Sequence, residues 1–329
     1  THTMNKKLVV VICASVLVVA LVITLSVTLA PKRNESALRG DGGNADKIVG
    51  GFNVASASIY PFFVALNGNA ACSGTLVAPD IVLTAAQCLA VLEVGDTVTV
   101  NKHTVAESPT DIVRTATQTI VHPSFEFPYY DFGIIKLDTP VLNVPPIPIN
   151  FNNSAPIDGD ALTVLGLGNL AETGGVPDVL QEATLNAVSN EECDNAYTAD
   201  IVEGIMLCAG LPDGGSDACS GDAGGPLIDG TGIQVGIVSS GNGCARVGFP
   251  GIYARVSWAG TWILDTICEI SEVDSSACPV ATADATAVDT QTDVTVSPAP
   301  FATAATEGPE ELALLTEVPG GQEFTAVPA

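Results

Sequence analysis

Residues 216–226, Ser-Asp-Ala-Cys-Ser-Gly-Asp-Ala-Gly-Gly-Pro, have the build of a loop that presents a nucleophilic hydroxyl, yet Ala223 stands where the hydroxyl belongs. Residues 84–88, Thr-Ala-Ala-Gln-Cys, raise the same question at the general base, because Gln87 fills its place. Hydroxyl attack on a carbonyl needs a base that titrates near neutral pH, takes the proton and later returns it. A glutamine amide has no such pKa, and a methyl group is no nucleophile. Any replacement base would have to come from His2, His103 or His122. His2 precedes an apolar segment and His103 falls in an expected surface hairpin, so neither is expected at such a site.

The elements that must position these residues follow from the chain's organisation. Its 329 residues have room for one large domain or two small ones. The hydrophobic content of 47% is inflated by residues 8–30, an uncharged run rich in Val and Leu. At about 1.5 Å per residue this run can cross a hydrocarbon core of roughly 30 Å. A cleaved signal peptide is the competing reading, but its apolar region is usually about 7–15 residues long. The small-residue site at Thr28, Leu29 and Ala30 is moreover followed by Pro31. A retained signal anchor is expected, with residues 1–7 as a short cytosolic end.

Flanking charge does not orient it, since Lys6 and Lys7 balance Lys32 and Arg33. The cysteines do. Cys13 lies in the apolar segment, and the other eight all lie downstream, an even number suited to an oxidising compartment. The expected arrangement is a single-pass type II membrane protein with its bulk in the lumen or outside the cell.

Residues 31–47 read as a polar, Gly-rich linker. It contains the sequon at Asn34 and an Arg39-Gly40-Asp41 tripeptide taken as a chance occurrence; a second sequon starts at Asn152. From 48 to 268 the pattern changes to short apolar runs broken by Gly, Pro, Asn and Asp. Examples are 62–66, 73–78, 97–100, 132–137, 161–168 and 234–240. Many short β-rich runs with regular turn signals point to an all-β barrel or sandwich. Residues 257–267 space Trp258, Trp262 and Ile263 as a helix does. Residues 269–329 are Ala/Thr/Pro-rich and acidic and are expected to be disordered.

Net charge is −26. Residues 48–268 carry 5 bases against 23 acids, and residues 269–329 carry 11 acids and no base. Such a surface repels nucleic acid and anionic membrane faces and favours a basic protein or peptide as partner. Solubility in a salty medium is the plainer explanation.

Five ordered stretches resemble the trypsin/chymotrypsin-type serine proteases. They are KIVGG (47–51), SGTLVAPDIVLTAAQC (73–88), DFGIIKL (131–137), SDACSGDAGGP (216–226) and GIVSSGNGCARVGFPGIYARV (236–256), with smaller echoes at 120–125, 166–169 and 177–181. The resemblance implies two six-stranded antiparallel β-barrels and a C-terminal helix. It also implies pairing of Cys72 with Cys88, Cys193 with Cys208 and Cys219 with Cys244. Cys268 and Cys278 are left for a local bridge or an intermolecular one.

The resemblance implies a triad at positions 87, 131 and 223. Here these are Gln87, Asp131 and Ala223, so only the aspartate is kept. His122 matches a structural position. Gly221 and Ala223 match the oxyanion hole. Asp217 matches the acidic base of a Lys/Arg pocket, Gly241 and Gly251 its small walls, and Ser239 to Gly241 the edge that pairs with an extended peptide. Ser240 stands where a tryptophan is usual. Cleavage after Lys47 would free the amino group of Ile48 to pair with Asp222. The implied function is that of a non-catalytic homologue that binds a partner without cutting it and needs no cofactor or metal. The alternatives are a trypsin-like endopeptidase of which this sequence is an inactivated variant, and a membrane-anchored adhesion head.

Overall fold

The computed structural model describes residues 48–67, 71–197, 201–273, 278 and 325–326. The expected anchor at 8–30, the linker with Asn34 and Lys47, and most of 269–329 lie outside the described residues. Among the described residues no helix is long and apolar enough to cross a membrane.

After β1 (Phe52–Asn53), the first barrel is built from β2 (Phe63–Asn67), β3 (Ala71–Ala78), β4 (Ile81–Thr84), β5 (Thr97–Val100), β6 (Ile112–Val121) and β7 (Gly133–Leu137). These close in the order β2-β3-β4-β7-β6-β5, every pair antiparallel. β4 and β7, with sequences IVLT and GIIKL, are buried at every position. β6 instead interleaves Arg114, Thr117 and Gln118 with apolar residues, as a strand with one wet face does.

The second barrel uses β8 (Ala161–Gly166), β9 (Gln181–Val188), β10 (Met206–Gly210), β11 (Pro226–Asp229), β12 (Gln234–Gly241) and β13 (Gly251–Arg255). Their order is β9-β10-β13-β12-β11-β8, closed by β8 pairing with β9, and β1 adds to β9. Buried residues recur at every second position of β9, which sets its register against the core. Helix α1 (Asn190–Ala196) is capped by Ser189, whose Oγ accepts from the Glu192 N–H at 3.1 Å.

The last helix, α2 (Val256–Ile270), buries Val256, Ala259, Ile263 and Ile267. It runs past the boundary expected at Cys268. Beyond it, Ser271 Oγ (2.6 Å) and the Glu272 N–H (2.8 Å) donate to Asp80, which also holds Lys136. The helix end is thereby fastened to the turn between β3 and β4. Two residues inside the tail expected to be disordered also form a strand, β14 (Thr325–Ala326), beside β12. Single-sequence composition does not reveal it, because its partner lies more than eighty positions earlier in the chain.

Four disulfides join Cys72 to Cys88, Cys193 to Cys208, Cys219 to Cys244 and Cys268 to Cys278. The bridge from Cys268 is thus the local one. Asn152 is exposed on the surface.

Candidate active site

β4 ends at Thr84 and leads into a single 3-10 turn, Ala86–Ala90, that carries Gln87. The Cys72–Cys88 bridge pins this turn to β3. Asp131, wholly buried, sits just before β7 and receives the turn. Its Oδ1 accepts the Gln87 backbone N–H at 2.9 Å, and its Oδ2 accepts Gln87 Nε2 at 2.7 Å and Ser239 Oγ at 2.7 Å. The second hydrogen on Gln87 Nε2 goes to the Ser239 carbonyl at 2.8 Å. A carboxylate and a carbonyl both only accept, so the amide nitrogen must be the atom that faces them. Burial pushes the Asp131 carboxyl up from its ordinary range, against these hydrogen bonds, which hold it down.

The Ala223 loop packs on the same place. A Cβ on Gly224 (φ +82°) would lie 2.3 Å from both the Ser73 carbonyl and Thr84 Oγ1, so only glycine fits. The Gly224 N–H donates to the Val238 carbonyl at 2.9 Å, and Ser73 N–H donates to the Ala223 carbonyl at 2.8 Å. Positions 87, 131, 223 and 239, far apart in sequence, therefore converge. Gly221 has φ +96°. Among the described residues neither the Gly221 nor the Ala223 N–H is taken up by a hydrogen bond.

Asp217 lies behind this loop and is 4% exposed. Its Oδ2 accepts the Ala245 N–H at 3.0 Å, while its buried Oδ1 has no partner among the described residues. Tyr253 hydroxyl is also buried without one. A Cβ on Gly251 would sit 2.8 Å from Asp217 Oδ1 and 3.3 Å from the Tyr253 hydroxyl, so the missing side chain leaves both groups facing one spot. Burial pushes the Asp217 carboxyl up to about 7, and Asp222 adds a like charge. Sequence reasoning misses Tyr253, although it stands two residues after Gly251 in the last of the five ordered stretches. Nothing local marks a tyrosine in a core strand as one whose hydroxyl lies close to a buried carboxylate.

Asp222 is fully buried beneath Ala223. The Gly168 N–H (2.7 Å) and the Cys219 N–H (2.8 Å) donate to it, and burial pushes it up to about 7. Gly166 makes room for it: a Cβ there would lie 1.8 Å from Asp222 Oδ1. Ile48 is wholly buried, and the Val49 carbonyl accepts the Asp217 N–H at 3.1 Å. The start of the domain is therefore seated against the loop that carries Asp217. Lys47 lies outside the described residues.

His122 is enclosed by Tyr130, Phe132, Trp258 and Trp262, with ring centroids 4.8–5.9 Å away. Its Nδ1 accepts from Ser124 N–H, and burial lowers its pKa. His103 lies between β5 and β6 with Nε2 2.9 Å from the Val54 carbonyl. Neither ring is near Asp131 in any hydrogen bond among the described residues.

A family model described as Trypsin matches residues 48–263. A trypsin of Saccharopolyspora erythraea is 38% identical over 214 residues, which cover 64% of this chain and 93% of the relative. The vitellin-degrading protease of Bombyx mori is 36% identical over 231 residues, 68% of this chain and 87% of the relative. Trypsin II-P29 of Gallus gallus is 35% identical over 232 residues, 69% of this chain and 91% of the relative.

Proposed function

The chain belongs to the trypsin family, and from that premise we propose that it is a non-catalytic member, recognising a peptide or protein without cutting it. One observation carries this reading. Gln87 stands against Asp131 with both amide hydrogens committed, and the converging loop ends in the methyl group of Ala223. No group at position 87 can cycle a proton, and none at 223 can attack. Loss of such a triad lowers turnover in serine proteases roughly a millionfold.

The pocket supports a cation as ligand. Asp217 has an unpartnered buried oxygen, and a guanidinium or ammonium entering beside it supplies the missing countercharge as a charge-assisted hydrogen bond. Such a ligand must meet the ionised carboxylate. Its affinity therefore falls as pH drops below about 7, the value to which burial raises Asp217. The free N–H groups of Gly221 and Ala223 keep the oxyanion hole available without any nucleophile to use it.

Cleavage after Lys47 would give Ile48 an ammonium group next to a domain in which buried Asp222 has no Lys or Arg partner among the described residues. We place the domain outside the cell or in a lumen, anchored through residues 8–30 until that cleavage releases it.

The test has two parts. With the full chain, hydrolysis of an arginine ester should stay at background, and the Gln87→His/Ala223→Ser double variant should raise it by a factor of at least about 10³. Ester turnover by the unaltered chain above background overturns the reading. With the chain cleaved after Lys47, benzamidine should bind saturably at pH 8, more weakly at pH 6, and not to Asp217→Ser.

A further inference from the structure

β11 runs beside β12 only as far as Pro226 opposite Ile237. The last contacts in that row are the Gly224 N–H to the Val238 carbonyl and the Val238 N–H to the Gly225 carbonyl, both 2.9 Å. There the chain turns away to form the Ala223 loop, and this side of β12 is vacated. On its other side β12 continues, with Ser240 opposite Ile252 of β13. A residue in a strand has two neighbours, and the second neighbour of Ser240 is Ala326. β14 enters the vacated row antiparallel, Ala326 opposite Ser240 and Thr325 opposite Gly241. An open strand edge is a template for any extended segment, and main-chain pairing there discriminates little between one chain and another.

We propose that Thr325 and Ala326 form a built-in competitor strand, which occupies the β12 edge and excludes an external peptide from it. The proposal rests on the reading of that edge as a peptide site. The charge distribution sets how the competition is resolved. Residues 48–268 hold 5 bases and 23 acids, a balance of −18, and residues 269–329 hold 11 acids and no base. Long-range repulsion therefore opposes the docked tail and is screened by salt. A basic external peptide is attracted by the same field, and salt weakens it. The two occupants respond to ionic strength in opposite senses. Low salt opens the edge and draws in a basic ligand, whereas high salt seats the tail.

The test uses the full chain and a Thr325→Pro/Ala326→Pro variant, which removes both backbone donors of β14 and leaves the sequence of the two barrels unchanged. Hydrogen exchange is followed in fragments covering residues 234–241, at about 20 mM and about 0.5 M salt. The unaltered chain should exchange more slowly at high salt, by about tenfold at the Ser240 and Gly241 amides beside β14, and the variant should be fast there at both. A fluorescent Arg-containing extended peptide should bind the variant more tightly than the unaltered chain, the gap widening with salt. Equal exchange in the two proteins at both salts overturns the proposal, even if the labelled peptide binds both. Slowed exchange without binding of the labelled peptide to either protein leaves the tail strand standing and overturns the external-peptide reading instead.

Discussion

Asp80 and Asp222 are both fully enclosed, one in the turn between β3 and β4, the other beneath the Ala223 loop. Burial alone would raise either carboxyl. At Asp80 it is outweighed by hydrogen bonds from Lys136, Ser271 and Glu272 and by the Lys136 charge, so the pKa lies below its ordinary value. Asp222 has two backbone N–H donors and, like Asp217, no Lys or Arg partner among the described residues, and both are pushed up to about 7. The acid that fastens helix α2 to the first barrel is thus neutralised within the described structure. Asp217 and Asp222 have no Lys or Arg beside them among the described residues. A buried charge that holds a fold must be paired by the fold itself, whereas one that awaits a ligand or a new chain end stays unpaired until that group arrives.

The largest effect should come from breaking the paired side. Lys136→Met leaves Asp80 buried without its cation and should cost about 3–5 kcal/mol in urea unfolding. A loss below about 1 kcal/mol would dissolve the contrast.

The unpaired side is read by pH. The folded-state pKa values of Asp217 and Asp222 lie above the ordinary 3.8, so the folded form holds protons that the unfolded chain has released. Their stabilising contribution is complete below pH 4 and is lost as pH rises to about 7. Asp80, with a lowered pKa, contributes above about 3.8 and loses that contribution in acid. Stability of the chain uncleaved at Lys47 should therefore peak near pH 4–5 and fall by on the order of 2–4 kcal/mol by pH 8. Asp217→Asn should remove part of that slope, and cleavage after Lys47 should remove the Asp222 part. Thermal melts across the range decide both.

A steric change sharpens the same contrast. Gly166→Ala brings a methyl group to 1.8 Å from Asp222 Oδ1. It should destabilise by about 1–3 kcal/mol and abolish benzamidine binding if Asp222 orders the pocket. The smallest effect is expected at Arg246, whose pair with Glu172 at 2.8 Å is about half exposed. Arg246→Ala should shift unfolding by less than about 1 kcal/mol, and less still in high salt.

The two barrels are legible in the sequence because short β-rich runs and five ordered stretches are local features, and strands such as TVTV and GIIKL fall within a residue or two of where those runs lie. The final helix is legible from the spacing of Trp258, Trp262 and Ile263, but its two residues past Cys268 are not, since nothing in Glu269 or Ile270 marks an end. Gly166 and Gly168 stand out in the sequence only as an echo. Their reason for being glycine is the carboxylate of Asp222, some 54 positions away from Gly168. β14 escapes a sequence reading because a two-residue strand has no periodicity to detect, and the acidic, Pro-rich composition around it argues for disorder.

What the amino-acid order settles alone is which functional groups exist: an amide at 87, a methyl at 223, carboxylates at 131, 217 and 222, and eight cysteines past the apolar segment. Those are covalent facts and need no fold. Whether the Gln87 amide is idle or committed, whether Asp217 is paired, and what lies along β12 depend on contacts between residues 44, 152 or 28 positions apart. Such contacts form only when two barrels close and bring their loops together. The amide at 87 and the methyl at 223 can be read along the chain, but the unpartnered Asp217 oxygen and the strand lying beside β12 exist only in the folded molecule.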